Sequence, residues 1–183
     1  NPGEQVVMET PVLVLPGFGN SGPGHWQTLW EARHPAWRRV NLDQWDAPRC
    51  GDWVQELTMA VRRCAAPPVL VAHSLACLLV AHWAGQSSLP VKGAFLVAVP
   101  EPASPSFPAA ATGFTPVPMR RLAFPTLVVA SANDAFGSVA HARHCAQAWG
   151  SRFVEIGDVG HINADSGIGD WPEGYALFEG FIN

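Results

Sequence analysis

Val69-Leu70-Val71-Ala72-His73-Ser74-Leu75-Ala76-Cys77 is the stretch on which the reading of this chain turns. Four apolar residues follow Pro67-Pro68, enough for a buried strand. From Leu75 the pattern becomes an apolar run through Leu78, Leu79, Val80, Ala81 and Trp83, which suits a buried helix. A serine at a strand-to-helix junction, with a small residue two positions away on each side, has the pattern of a nucleophile elbow. There the backbone turns so sharply that only Gly or little more fits at the flanks, and the hydroxyl stands above the sheet edge. The usual form is G-x-S-x-G; here Ala72 and Ala76 take the glycine positions, each one methyl larger. On these nine residues alone, a plain strand-turn-helix with a capping serine is the competing explanation.

Working outward, residues 11–15 (PVLVL) form a short apolar strand that stops at the turn-rich loop Pro16-Gly17-Phe18-Gly19-Asn20-Ser21-Gly22-Pro23-Gly24. Trp26, Leu29 and Trp30 recur at helical spacing, predicting a helix over 25–33. Residues 39–42 read as a second strand, and Asp52 as the N-cap of a helix running to about residue 64. Downstream, 94–99 and 126–130 are continuous apolar runs of the kind buried on both faces of a parallel sheet. A helix over 138–149, a strand over 153–156 and a helix over 175–182 complete the chain, while the proline-rich 100–118 reads as loop. This alternation of strands and helices implies an α/β fold with six strands in an open, mostly parallel sheet and helices on both faces. At 183 residues with no internal repeat, one domain spanning 1–183 is expected, with 1–10 set apart from it.

Hydrophobic residues make up 48% of the chain and charged residues 14%, which excludes a disordered polymer. The net charge of −4 argues against a nucleic-acid partner, and the doublets Arg38-Arg39, Arg62-Arg63 and Arg120-Arg121 read as solvated surface. Four cysteines at wide, irregular spacing fit free thiols in a reducing compartment, so a cytoplasmic location is expected. No signal peptide is visible at the start, and no apolar run approaches the length of a membrane span.

In open α/β sheets, sites form beyond the carboxyl ends of the strands. The third strand delivers Ser74, the fifth Asp134, and the last is followed by Gly160-His161. Chain order Ser, Asp, His is one of the known orders for a hydrolytic triad. A hydroxyl is a poor nucleophile until a base removes its proton, and an imidazole, with a reference pKa near 6.5, suits that task. His161 would be that base, and Asp134 would hold its tautomer and stabilise the imidazolium. The oxyanion formed on attack needs preorganised donors, for which Leu75 N–H and Phe18 N–H are the candidates. His73, Asn20, Trp45 and Trp171 are the candidates for substrate contact. Asp134 could instead merely close a turn; Asp46, Asp158 and Asp165 compete for its role, as His25, His73, His82, His141 and His144 compete with His161. The glycine loop fits neither nucleotide-binding fingerprint, and no metal-ligand spacing is present, so no cofactor or metal is expected.

The sequence also resembles the small serine hydrolases of the α/β-hydrolase superfamily typified by retinoblastoma-binding protein nine. The likeness rests on Leu15 through Gln27, Trp45 through Val54, His73-Ser74-Leu75, Ser131 through Asp134, Gly160 through Asn163 and Gly167 through Gly174. The resemblance implies an α/β-hydrolase-like three-layer sandwich without a cap domain, with nucleophile, acid and base at Ser74, Asp134 and His161. The L-x-C-x-E stretch that binds pocket proteins is absent, so no protein partner is carried over.

Two function classes follow: a serine hydrolase cleaving a small ester, thioester or amide, and a catalytically silent binding protein on the same fold. An aspartate would stand at the elbow of a dehalogenase, so Ser74 counts against that chemistry. Residues 101–124 are too short and too proline-rich for a helical lid. The site is therefore expected to be open, walled by Phe18, Trp45, Phe107, Phe114 and Trp171, and to favour short acyl groups away from any membrane.

Overall fold

The computed structural model describes residues 9–183. The expectations for the first residues, that they stand apart from the fold and carry no signal peptide, fall outside the described residues for 1–8. Six strands form one sheet: β1 (Val12–Leu15), β2 (Arg38–Arg39), β3 (Val69–His73), β4 (Gly93–Val97), β5 (Thr126–Ala130) and β6 (Arg152–Glu155). Their order is β2-β1-β3-β4-β5-β6, and every pairing is parallel. β3, which ends in His73, therefore lies in the middle of the sheet and is buried along its whole length.

The two-residue period of a strand divides the sheet residues between two cores. Leu13, Leu15, Leu70, Ala72, Leu96 and Val128 face one side. They pack under α2 (Cys50–Arg62), α3 (Leu75–Ala84) and α4 (Val139–Trp149). Val12, Val69, Val71, Phe95, Val97 and Val129 face the other, under α1 (Trp26–Arg33) and α5 (Pro172–Ile182). α3 is packed between the sheet and α2, which is why its sequence is apolar all round rather than striped. Residues 101–124, between β4 and β5, contain no helix, so no cap covers the sheet's carboxyl edge. Among the described residues no helix is long and apolar enough to cross a membrane.

Among the elements whose bounds differ from the sequence expectation are β2, α2 and α5. β2 is only Arg38–Arg39; Val40 still donates to Val14 O, but Val40 and Leu42 then turn into the core. α2 starts at Cys50 with Arg49 as its N-cap, and Asp52 lies within its first turn. The start is set by a bridge from Arg49 to Thr112 and by Cys50 N–H donating to Thr112 O. α5 starts at Pro172, whose fixed φ and missing N–H suit a first helical position.

Candidate active site

Ser74 stands between β3 and α3 with φ 57° and ψ −120°, a conformation that a non-glycine residue adopts only under strain. Hydrogen bonds on both sides hold it: Ser74 N–H donates to Val97 O at 2.8 Å and Cys77 N–H to Ser74 O at 2.8 Å. Ala72 and Ala76, the small flanks of the elbow, have no solvent exposure, so the turn leaves no room for larger side chains there. Cys77 lies beneath the turn with its Sγ 3.3 Å from Val97 O. Burial raises its thiol well above the ordinary value, so it is a packing group and not a rival nucleophile.

The loops after β5 and β6 bring Asp134 and His161 to the serine. His161 Nε2 is 2.8 Å from Ser74 Oγ, and His161 Nδ1 is 2.8 Å from Asp134 Oδ1. The Asp134 side chain is 2% exposed and its Oδ1 also accepts Phe136 N–H, which fixes the carboxylate. The competing acids Asp46, Asp158 and Asp165 are all exposed. The His161 loop is tied down from three sides. Trp26 Nε1–H donates to Ile162 O, His73 Nε2–H donates to His161 O, and Asn133 Oδ1 accepts Gly160 N–H. Ser131 Oγ, in turn, accepts Val159 N–H and donates to Asn133 Oδ1.

The loop after β1 closes the opposite side. A Cβ on Gly17 would stand 3.2 Å from Leu75 N, so glycine is what lets this loop lie against the start of α3. Leu75 N–H is the first donor of that helix and has no intrahelical acceptor. Among the described residues Phe18 N–H donates to no backbone carbonyl, whereas its neighbours do: Gly19 N–H to Trp45 O and Asn20 N–H to Gly17 O. Arg39 braces the same loop, donating to Ser21 O, Asn20 Oδ1, Thr28 Oγ1 and Glu31 Oε1. It is thus not the solvated surface residue that the Arg38-Arg39 doublet suggested. Gln27, fully buried on α1, donates to Leu15 O and Val71 O and so locks α1 across β1 and β3.

These loops enclose a cavity of about 460 Å³ lined by Gly17, Phe18, Asn20, Gly22, His25, His73, Ser74, Leu75, Pro100, Ser106, Phe107, Pro108, Phe136, His161, Asn163, Ala164 and Asp165. Ser74, His161, Leu75, Phe18, Asn20 and His73 thus share one site, His73 as an almost buried ring at its base. Two expected substrate contacts are corrected. Trp45 packs edge-on against Trp53, and it serves the site only through the carbonyl that accepts Gly19 N–H. Trp171 is 3% exposed, its indole wedged against Trp26, Trp30 and Phe95 in the core under α1 and α5. Its apolar ring is worth more buried in that cluster than at a wet rim. Phe114, expected in the wall, is likewise buried against Trp53.

Sequence reasoning missed Phe136, whose ring lies 4.3 Å from that of His161. Its signal was present: an aspartate binding the N–H two residues on is a local turn habit, and it delivers Phe136 beside the acid. His25 was named only as a competitor for the base. It is instead the N-cap of α1, its Nδ1 accepting Gln27 N–H at 3.1 Å. Burial, with Arg39 and His161 as lesser causes, lowers its pKa to about 4. His73 is also held well below the ordinary value, again by burial first. Both rings are therefore neutral near pH 7. Among the described residues no three His, Cys, Asp or Glu side chains converge to hold a metal ion.

A strained serine over the central strand of an all-parallel sheet, joined to a histidine and a buried aspartate, defines an α/β-hydrolase fold. The model of the serine hydrolase family matches residues 12–180, and the chain belongs to that family. A protein described as a YdeN-like hydrolase from Pectobacterium atrosepticum is 33% identical, with a TM-score of 0.82 over 94% of this chain and 91% of that one. The ydeN gene product of B. subtilis is 21% identical, with a TM-score of 0.78 over 94% and 98% of the two chains, and so shares the fold. So does BpoC of Mycobacterium tuberculosis, described as a non-heme bromoperoxidase: 15% identity, TM-score 0.73, over 95% and 92%. A search of curated proteins finds no match.

Proposed function

We propose that this serine hydrolase cleaves small esters, thioesters or amides through an acyl-Ser74 intermediate, with His161 as general base and Asp134 as its orienting acid. The observation that carries the reading is the unbroken relay from Asp134 Oδ1 to His161 Nδ1 and from His161 Nε2 to Ser74 Oγ, each 2.8 Å. With the imidazole proton on Nδ1 and donated to Asp134, Nε2 is free to accept the Ser74 hydroxyl proton as Oγ attacks the substrate carbonyl. The oxyanion then falls between Leu75 N–H and Phe18 N–H. His161 returns the proton to the leaving alcohol, thiol or amine, and a water activated the same way releases the acid. Free thiols at all four cysteines support a cytoplasmic setting.

The test is a kinetic cycle on p-nitrophenyl acetate. Ser74→Ala and His161→Ala should each lower kcat by about 10⁴–10⁶, and the double variant by little more, because the three groups act as a unit. Asp134→Asn, which keeps the acceptor for Phe136 N–H, should still lose about 10⁴ through the wrong imidazole tautomer. A wild-type protein without activity on any ester or amide would favour the silent binding protein. Substantial activity in Ser74→Ala would move the nucleophile elsewhere.

A further inference from the structure

The relay uses the two nitrogens at the edge of the His161 ring and leaves its faces to packing. Phe136 lies against one of them. The ring centroids are 4.3 Å apart and the planes meet at 36°. Rings lying side by side in one plane could not come that close, so the π face of Phe136 is what meets the imidazole. The residue is half-buried, in the lining of the Ser74 cavity. Its backbone is held from both sides. Phe136 N–H donates to Asp134 Oδ1 at 2.9 Å, the same oxygen that faces His161 Nδ1, and Phe136 O accepts Glu101 N–H at 2.8 Å. A Cβ on Gly137 would stand 2.3 Å from Val99 O, so glycine is what lets the chain after Phe136 run against the segment leaving β4.

We propose that Phe136 is a positioning residue for the base, and that its π face stabilises the imidazolium His161 becomes on taking the Ser74 proton. The proposal rests on the serine hydrolase reading and adds to it what supports the charge on its base. The negative face of a phenyl ring attracts a cation within about 6 Å of its centroid. A neutral imidazole gains little from that face and an imidazolium more, so the contact strengthens toward the transition state, which is what speeds the chemical step. The proton passes from Ser74 Oγ to His161 Nε2 as the bond from Oγ to the carbonyl carbon forms. The other titratable groups around the imidazole are Asp134 at Nδ1, His73 against the ring from the end of β3, and His25 and Asp165 in the cavity lining. His25 and His73 are neutral near pH 7. Glu101, whose N–H holds Phe136 O, has its carboxylate 4.0 Å from His141 Nδ1. Replacing the Phe136 ring alters none of these charges.

The pH dependence of kcat/KM on p-nitrophenyl acetate separates this role from a merely steric one. On the plateau the free enzyme carries neutral His161 and the transition state carries the imidazolium, so Phe136→Leu should lower the rate about fivefold. On the acid limb both states carry the imidazolium, the contribution cancels, and the two profiles should converge. The half-plateau pH therefore moves down by about 0.7 unit, the logarithm of the same fivefold factor. Phe136→Tyr keeps an aromatic face and should recover most of the plateau. Trifluorophenylalanine in place of Phe136 keeps the shape and weakens the face, so it should reproduce the Phe136→Leu profile without a change of packing. A drop by one factor at every pH, or a wild-type plateau in the trifluorinated protein, would overturn the proposal. Fluorophosphonate labelling of Ser74 in the same samples separates the two levels. Labelled protein whose profiles do not converge sinks this proposal alone, and absence of labelling in the wild type sinks the hydrolase reading.

Discussion

Gly17 lies so close to the elbow that a Cβ on it would stand 2.9 Å from the His73 carbonyl oxygen and 3.2 Å from Ser74 Cβ. The His73 carbonyl belongs to the end of a buried central strand and cannot yield. The loop carrying Phe18 would have to move instead. Gly17→Ala is expected to withdraw Phe18 N–H from the oxyanion position and lower kcat on p-nitrophenyl acetate by about 10²–10³, the size of one lost donor. Wild-type turnover in that variant would show that the loop contributes nothing to the reaction.

Stability should fall on acidification below the ordinary histidine range. His25, with its folded pKa near 4, and His73, also held low by burial, stay neutral in the fold while their unfolded counterparts protonate near 6.5. Between those values the unfolded chain binds more protons, so the contribution is complete above about pH 6.5 and is lost as pH falls toward 4. For His25 alone this is about 3 kcal/mol, at 1.36 kcal/mol per pH unit. Urea unfolding at pH 7, 5.5 and 4.5 would measure it, with a shallower acid limb in His25→Asn. Equal stability at all three values would contradict the neutral, buried rings.

Residues 101–124 form a non-helical strap, from which Ser106, Phe107 and Pro108 reach the cavity, and Phe18, also in its lining, is 42% exposed. A long acyl chain would leave much of its surface in water. Beyond butanoate, each added methylene should raise kcat/KM by much less than the roughly fourfold that ~0.8 kcal/mol of full burial would bring. A series of p-nitrophenyl esters from acetate to palmitate checks this; a steady climb to the longest chain would mean an apolar channel through the strap.

The elbow and the relay were legible because they follow from one-dimensional signals. An apolar run of strand length before Ser74 and a helical one after it place the serine, and Asp134 and His161 each end or follow a strand of the same sheet. Trp45 and Trp171 were misread because an aromatic beside turn residues looks the same whether it faces a cavity or a packed cluster. Only the company of Trp26, Trp30 and Phe95, distant in sequence, decides for Trp171. Arg39 read as surface because a two-residue edge strand leaves almost no pattern, yet that strand is what aims its guanidinium at the loop of Asn20 and Ser21.

The most direct measurement of the central claim is the site of covalent capture. Incubating the folded protein with a fluorophosphonate and reading the intact mass should show a single adduct, and peptide mapping should put it on Ser74. Heat-denatured protein and the Ser74→Ala variant should take up none, since activation depends on the folded relay through His161 and Asp134. An adduct on another residue, or equal labelling of Ser74→Ala, would contradict acyl transfer through Ser74.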